Sequence, residues 1–151
     1  MRVSVADISS DGPFSAFPGV MRWFVVVTGA GVVLEFDGAE RRIVSGDEPA
    51  GFDGASAPGC RLLDGPTRDL NLMTKGGRGG LWPVAPDASW SASFHVRALF
   101  TAVAGRWSGG AESRELSQHA LLWEDSAAGA AWRFEPESAA VTSGWWLGYS
   151  P

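Results

Sequence analysis

Cysteine is almost missing from this chain. Cys60 stands alone, so no internal disulfide can form and a reducing compartment fits best. Basic charge is also short. Twelve Lys and Arg against seventeen Asp and Glu leave a net charge of −5 and a pI near 4.9. That balance argues against the basic face a nucleic acid needs and the polybasic patch an anionic membrane attracts. No apolar run approaches the ~18–20 residues that cross a bilayer, and no charged segment precedes an apolar one at Met1 in the manner of a secretory leader. The expectation is a cytoplasmic protein with no nucleic-acid or membrane partner.

Catalytic signatures are scarce too. Histidine occurs only at His95 and His119, with no His-x-His pair, so three or four ligands around one ion are not supplied and no metal is expected. No Gly-x-Ser-x-Gly elbow occurs, and Cys60 has no neighbour that would lower its pKa. The glycine cluster at 76–80 lacks the Gly-Lys-Ser/Thr ending of a phosphate loop and reads as a flexible connection. No cofactor is expected.

What remains describes a β protein. Apolar residues make up 45% of the 151 and charged residues 19%, enough for a real core in one domain or two small lobes. Twenty Gly and nine Pro spread along the chain favour many short strands, and no segment has convincing amphipathic helical spacing. Val- and Ile-rich residues 2–8 form the first candidate strand. Residues 22–28 (RWFVVVT) and 31–36 (GVVLEF) follow, joined at Gly29-Ala30-Gly31. In the former, Trp23, Val25 and Val27 point one way and Phe24 and Val26 the other, as in a strand packed on both faces. Asp37-Gly38 is a two-residue hairpin signal leading into residues 41–44.

Residues 60–74 (CRLLDGPTRDLNLMT) read as a small hairpin turning at Asp64-Gly65-Pro66-Thr67. Its second arm sets Leu70 and Leu72 on one face and Asp69, Asn71 and Met73 on the other, a face that either meets water or lines a pocket. Residues 76–80 and 83–87 read as a connection, giving lobes at approximately 1–80 and 86–151. In the second lobe, residues 89–103 alternate as one long strand. Trp90, Ala92, Phe94, Val96, Ala98, Phe100 and Ala102 make the core face, and His95, Arg97 and Thr101 lie on a polar face interrupted by Leu99. Residues 116–123, 131–134 and 140–147 are further strand candidates. Trp23, Trp90 and Trp123 sit at alternation positions and read as core. Trp145 and Trp146 are adjacent and cannot share one face, which leaves one for an edge, a pocket mouth or a subunit contact.

Two blocks are more specific. Residues 9–22 (SSDGPFSAFPGVMR) and 61–75 (RLLDGPTRDLNLMTK) resemble the paired DGPFSxFPGxxR and LLDGPxxDxNxM patterns of the HutD/Ves family, in order and register. The resemblance implies an all-β, cupin-type double-stranded β-helix repeated as a two-lobed bicupin over residues 1–151. It also implies a non-catalytic role in histidine utilisation through binding of a small carboxylate, plausibly formylglutamate. Members of the family usually carry an N-terminal segment with a Lys-Asn-Gly-Gly-Gly run before the strand matching residues 2–8, and this chain starts at that strand.

Within this frame the binding candidates are Ser15, Arg22, Arg61, Asp69, Asn71 and Met73. An arginine holds a carboxylate through two parallel hydrogen bonds, and an asparagine adds one donor and one acceptor. Arg22 and Asp69 could equally form a structural ion pair. Two rival functions stand beside this reading. One is a metal-independent isomerase or hydrolase with Asp64 and Asp69 as acid and base; the other is a dimeric interaction module built on Trp145-Trp146.

Overall fold

The computed structural model describes residues 1–125 and 129–151, in two compact units, Met1–Gly76 and Gly77–Pro151. The first unit holds β1 (Arg2–Ile8), β2 (Gly12–Pro13), β3 (Met21–Thr28), β4 (Val32–Phe36), β5 (Ala39–Ile43), β6 (Ala50–Asp53), β7 (Gly59–Leu62) and β8 (Thr67–Thr74). They form two four-stranded antiparallel sheets, ordered β1-β8-β3-β6 and β2-β7-β4-β5. Phe24, Val26, Ala50 and Phe52 from the first sheet meet Val32, Leu34, Ile43 and Cys60 from the second in one core, which makes the unit a small barrel.

The Asp37-Gly38 hairpin forms as expected between β4 and β5, with Gly38 at φ +78. The hairpin expected over residues 60–74 does not. β7 pairs with β2 and β4, while β8 pairs with β1 and β3, so the turn at 63–66 carries the chain from one sheet to the other. Both arms seek a covered position, and an isolated hairpin would leave both faces of β8 in water. In this fold Leu70, Leu72, Asp69, Asn71 and Met73 are all buried. Gly29 makes a matching crossing from β3 to β4: it sits at φ +100, and a Cβ there would lie 2.6 Å from the Pro66 carbonyl oxygen.

The second unit contains β9 (Arg78–Pro83), β10 (Val96–Thr101), β11 (Gly105–Gly109), β12 (Glu112–Leu116), β13 (Leu121–Asp125), β14 (Trp132–Pro136) and β15 (Gly144–Ser150). One sheet runs β13-β10-β15-β9 and the other β12-β11-β14. Leu99 and Trp146 of the first meet Trp107, Trp132 and Phe134 of the second in a tryptophan-rich core. Both units thus carry the all-β, double-sheet layout of a two-lobed cupin. Among the described residues, no helix is long and apolar enough to cross a membrane.

Several local expectations fail here, each for a tertiary reason. The glycine-rich stretch at 76–80 is not a free connection, because Arg78–Pro83 pairs along β15. The long strand expected at 89–103 shrinks to Val96–Thr101, with Trp90 retained only as a bridge to Trp132. Both of its faces are also covered: Ala98 and Phe100, on the expected core face, are buried, and so is the face expected to be polar. Leu99 points into the barrel core, so Arg97 and Thr101 on the same face are buried too, at 3% and 0% exposure. Trp123, expected in the core, is 62% exposed on the edge strand β13. Trp145 and Trp146 are 1% and 3% exposed on opposite faces of the inner strand β15, so neither offers the dimer edge considered above.

Candidate functional site

Strand β3 begins Met-Arg-Trp-Phe, and its register against β8 sets Arg22 beside Met73, Phe24 beside Asn71 and Val26 beside Asp69. Phe24 and Val26 belong to the barrel core. Period-two geometry therefore turns Arg22, and with it the polar row of β8, into the barrel. The guanidinium is only 4% exposed, Asp69 2% and Asn71 5%.

The three groups form a chain. Arg22 Nη2 donates to Asn71 Oδ1 at 2.7 Å, and Asn71 Nδ2 donates to Asp69 Oδ2. Asparagine is suited to the middle position because its amide both accepts and donates. Aromatic faces surround the cation: the Arg22 Cζ lies 4.7 Å from the Phe14 ring centroid, 5.2 Å from Phe52 and 5.8 Å from Phe17. Such contacts stabilise a desolvated guanidinium without neutralising it. Arg22 Nε and Nη1 and Asp69 Oδ1 have no hydrogen-bond partner among the described residues. Two donors and one acceptor thus remain unused in an apolar interior, where an unmet polar atom costs about 1–3 kcal/mol.

Burial controls the ionisation here. It pushes the Asp69 carboxyl up to about 7, against the Asn71 hydrogen bond and the Arg22 charge, which both pull it down. Arg22 is lowered from its ordinary value, chiefly by the same burial, with Asp69 opposing. Cys60 faces this interior from β7 and is raised to about 11, first by burial and then by the charges of Asp69, Asp11 and Glu35. It stays a protonated thiol at neutral pH and lacks nucleophilic character.

Next to the row lies a surface hollow of about 210 Å³, lined by Met1, Arg2, Phe17, Val20, Met73, Thr74 and Lys75. Phe17 and Met73 belong to both places: one ring contacts the Arg22 guanidinium, and the other residue is the cross-strand neighbour of Arg22.

Of the six candidates read from sequence, Arg22, Asp69, Asn71 and Met73 share this wall. Ser15 is exposed in the loop before β3. Arg61 lies apart from them: it follows the inward Cys60, so it faces outward, where it pairs with Glu35 at 3.5 Å and Glu40 at 3.6 Å. Arg68, another conceivable partner for Asp69, is held by Asp7 through two hydrogen bonds of 2.7 and 2.9 Å. Asp64 lies exposed in the bend between β7 and β8, so it and the buried Asp69 occupy opposite environments. In the second unit, His95 Nε2 lies 3.1 Å from Asp125, and His119 stacks on Phe100 at 6.0 Å. Among the described residues, no group of three or more His, Cys, Asp or Glu is placed to hold a metal ion. Phe14 and Phe17, inside the block at residues 9–22, line the Arg22 pocket, a role that no local pattern signals. Phe52 carried no signal, because it reaches Arg22 only through the pairing of β3 with β6.

Comparison with known proteins agrees with this architecture. The solved structure of PA5104, a conserved protein of unknown function from Pseudomonas aeruginosa PAO1, superposes with a TM-score of 0.84 at 28% identity, covering 99% of this chain and 82% of that one. HutD from Pseudomonas fluorescens SBW25, solved in a formate condition, gives 0.82 at 27% identity, covering 99% and 78%. Ylba from E. coli, of the DUF861 family, gives 0.70 at 6% identity, covering 97% of this chain and 76% of that one; at that identity the likeness is one of fold alone. Among curated proteins, an uncharacterised 21.2 kDa protein in the hutC 3' region of Pseudomonas putida is 40% identical over 72 residues, 48% of this chain. Protein Ves of Citrobacter koseri is 37% identical over 75 residues, 49% of this chain. The matched stretches span only 38% and 39% of those relatives' own lengths. The HutD family model matches residues 1–142, nearly the whole sequence, and the chain belongs to the HutD family.

Proposed function

We propose that this chain is a non-catalytic binding protein for a small carboxylate metabolite, with formylglutamate the leading candidate, and that it acts in the regulation of histidine utilisation. The observation that carries the reading is the Arg22 guanidinium, buried among three phenylalanine rings with two N–H donors unused. A carboxylate supplies the two acceptors such a group lacks, and Asn71 is already oriented by Asp69 to discriminate among ligands carrying an amide. Because Asp69 is held near neutrality, its proton decides whether Arg22 faces an internal counter-charge or an incoming one. The small hollow beside Phe17 and Met73, flanked by Arg2 and Lys75, suits the approach of a small anion. The HutD name and the hutC-region relative support the link to histidine utilisation.

Calorimetric titration of formylglutamate, glutamate and urocanate into the protein tests the reading. One carboxylate should saturate at a single site and weaken roughly tenfold or more in Arg22→Lys, which keeps the charge but loses the fork. Its affinity should also rise as pH falls from 8 to 6 and Asp69 takes up its proton. No saturable binding by any of the three, or binding indifferent to Arg22→Lys, overturns it.

A further inference from the structure

The second unit buries an arginine of its own, and this one lines a cavity. Arg97 sits on the inner strand β10 at 3% exposure, with its Cζ 4.6 Å from the Trp132 ring centroid. Nη2 donates to Glu124 Oε2 at 2.6 Å and Nη1 to the Ala130 carbonyl at 2.9 Å. Nε has no partner among the described residues, and neither has the buried Nε1 of Trp107. Both residues line a hollow of about 280 Å³, together with Trp132, Glu124, Glu112 and Arg114. Two glycines pack closely against these side chains. A Cβ on Gly129 would fall 1.7 Å from Arg97 Nη2, and one on Gly109 would fall 2.6 Å from the Trp107 ring. Trp123 stands at the rim, 62% exposed.

We propose that this cavity is a second ligand site, for a free amino acid with a flat apolar side chain. The charges select the class. They occur as two ion pairs, Arg97–Glu124 at 2.6 Å inside and Arg114–Glu112 at 3.2 Å toward solvent. An ion of one sign gains at one member of each pair and is repelled by the other, whereas a zwitterion matches both. The guanidinium of Arg114 takes the carboxylate, with the Arg97 charge behind it in the cavity wall. Glu124 and Glu112 take the ammonium. The indole surfaces of Trp107 and Trp132 receive the side chain, and Trp123 closes over it, which accounts for a large aromatic exposed on an edge strand.

Calorimetry on the whole chain tests this with L-phenylalanine and its two half-molecules, phenylpropionate and phenethylamine. Phenylalanine should bind at one site per chain, with each half at least roughly tenfold weaker, the loss expected when one charged hydrogen-bonding end is removed. Trp123→Ala and Glu112→Gln change exposed residues, and the urea midpoint verifies that each variant folds; both should weaken phenylalanine binding several-fold. Arg68→Ala, in the first unit, should leave it unchanged. The proposal fails if phenylalanine gives no saturable heat, if either half binds as tightly as the whole, or if folded Trp123→Ala and Glu112→Gln bind like the parent.

Discussion

Asp69→Asn should stabilise this protein at alkaline pH. In the unfolded chain an aspartate titrates near its ordinary 3.8, whereas in the barrel burial holds Asp69 at about 7. The folded state therefore binds the proton more tightly. Its contribution to stability is complete below about 3.8, falls as pH rises through about 7, and is constant beyond. The interval corresponds to ~4 kcal/mol between the acidic and alkaline limits, the work of holding an ionised carboxylate in an apolar interior with an incompletely bonded Arg22 for company. Asparagine imitates the protonated side chain and cannot ionise. Urea unfolding from pH 4.5 to 8.5, followed by tryptophan fluorescence, should show the variant more stable by ~1–2 kcal/mol at pH 5, where the fall has already begun, and by ~4 kcal/mol at pH 8, with m-values unchanged. The opposite result, a variant less stable than the parent at pH 8 by a kilocalorie or more, would mean that Asp69 is an ionised partner of Arg22 and would refute the neutral-carboxyl reasoning.

Other perturbations separate the fold from the site. Trp145→Ala, at a position 1% exposed, should cost ~3–5 kcal/mol in urea unfolding, whereas Trp123→Ala should change stability by less than about 0.5 kcal/mol. Gly29→Ala combines a φ of +100 with a Cβ 2.6 Å from the Pro66 carbonyl oxygen, so thermal unfolding should show a loss of at least ~2 kcal/mol. Cys60, buried and raised to about 11, should resist iodoacetamide at pH 8 in the native protein and react quickly once urea unfolds it, as mass spectrometry would record.

The record of the sequence is uneven for physical reasons. The all-β character, the Asp37-Gly38 turn and the burial of both faces of β3 followed from local chemistry, namely glycine and proline spacing and strand periodicity, which act over a few residues. The polar row Asp69, Asn71, Met73 was visible as a period-two pattern, and its functional weight came from the two motif blocks rather than from the pattern. Partner choice between strands was not legible. Residues 60–74 carry the turn chemistry of a hairpin, yet β7 and β8 go to different sheets, because each finds more burial there than either offers the other.

The same limit governs the side chains. Alternation places Arg97 opposite Ala98 on β10 but does not say that both faces are covered; Leu99 packs with Trp146 in the barrel core, and the arginine on its face is buried in consequence. Arg61 and Arg22 look alike as candidates in the two motif blocks, and only strand register turns Arg22 inward and Arg61 outward. Adjacent tryptophans at 145 and 146 are both enclosed because β15 lies inside its sheet and is covered on each face. The sequence by itself determined the all-β character, the Asp37-Gly38 turn and which residues alternate together within a strand. Only the tertiary structure decided which face is the interior, because that depends on long-range pairing that no local pattern encodes.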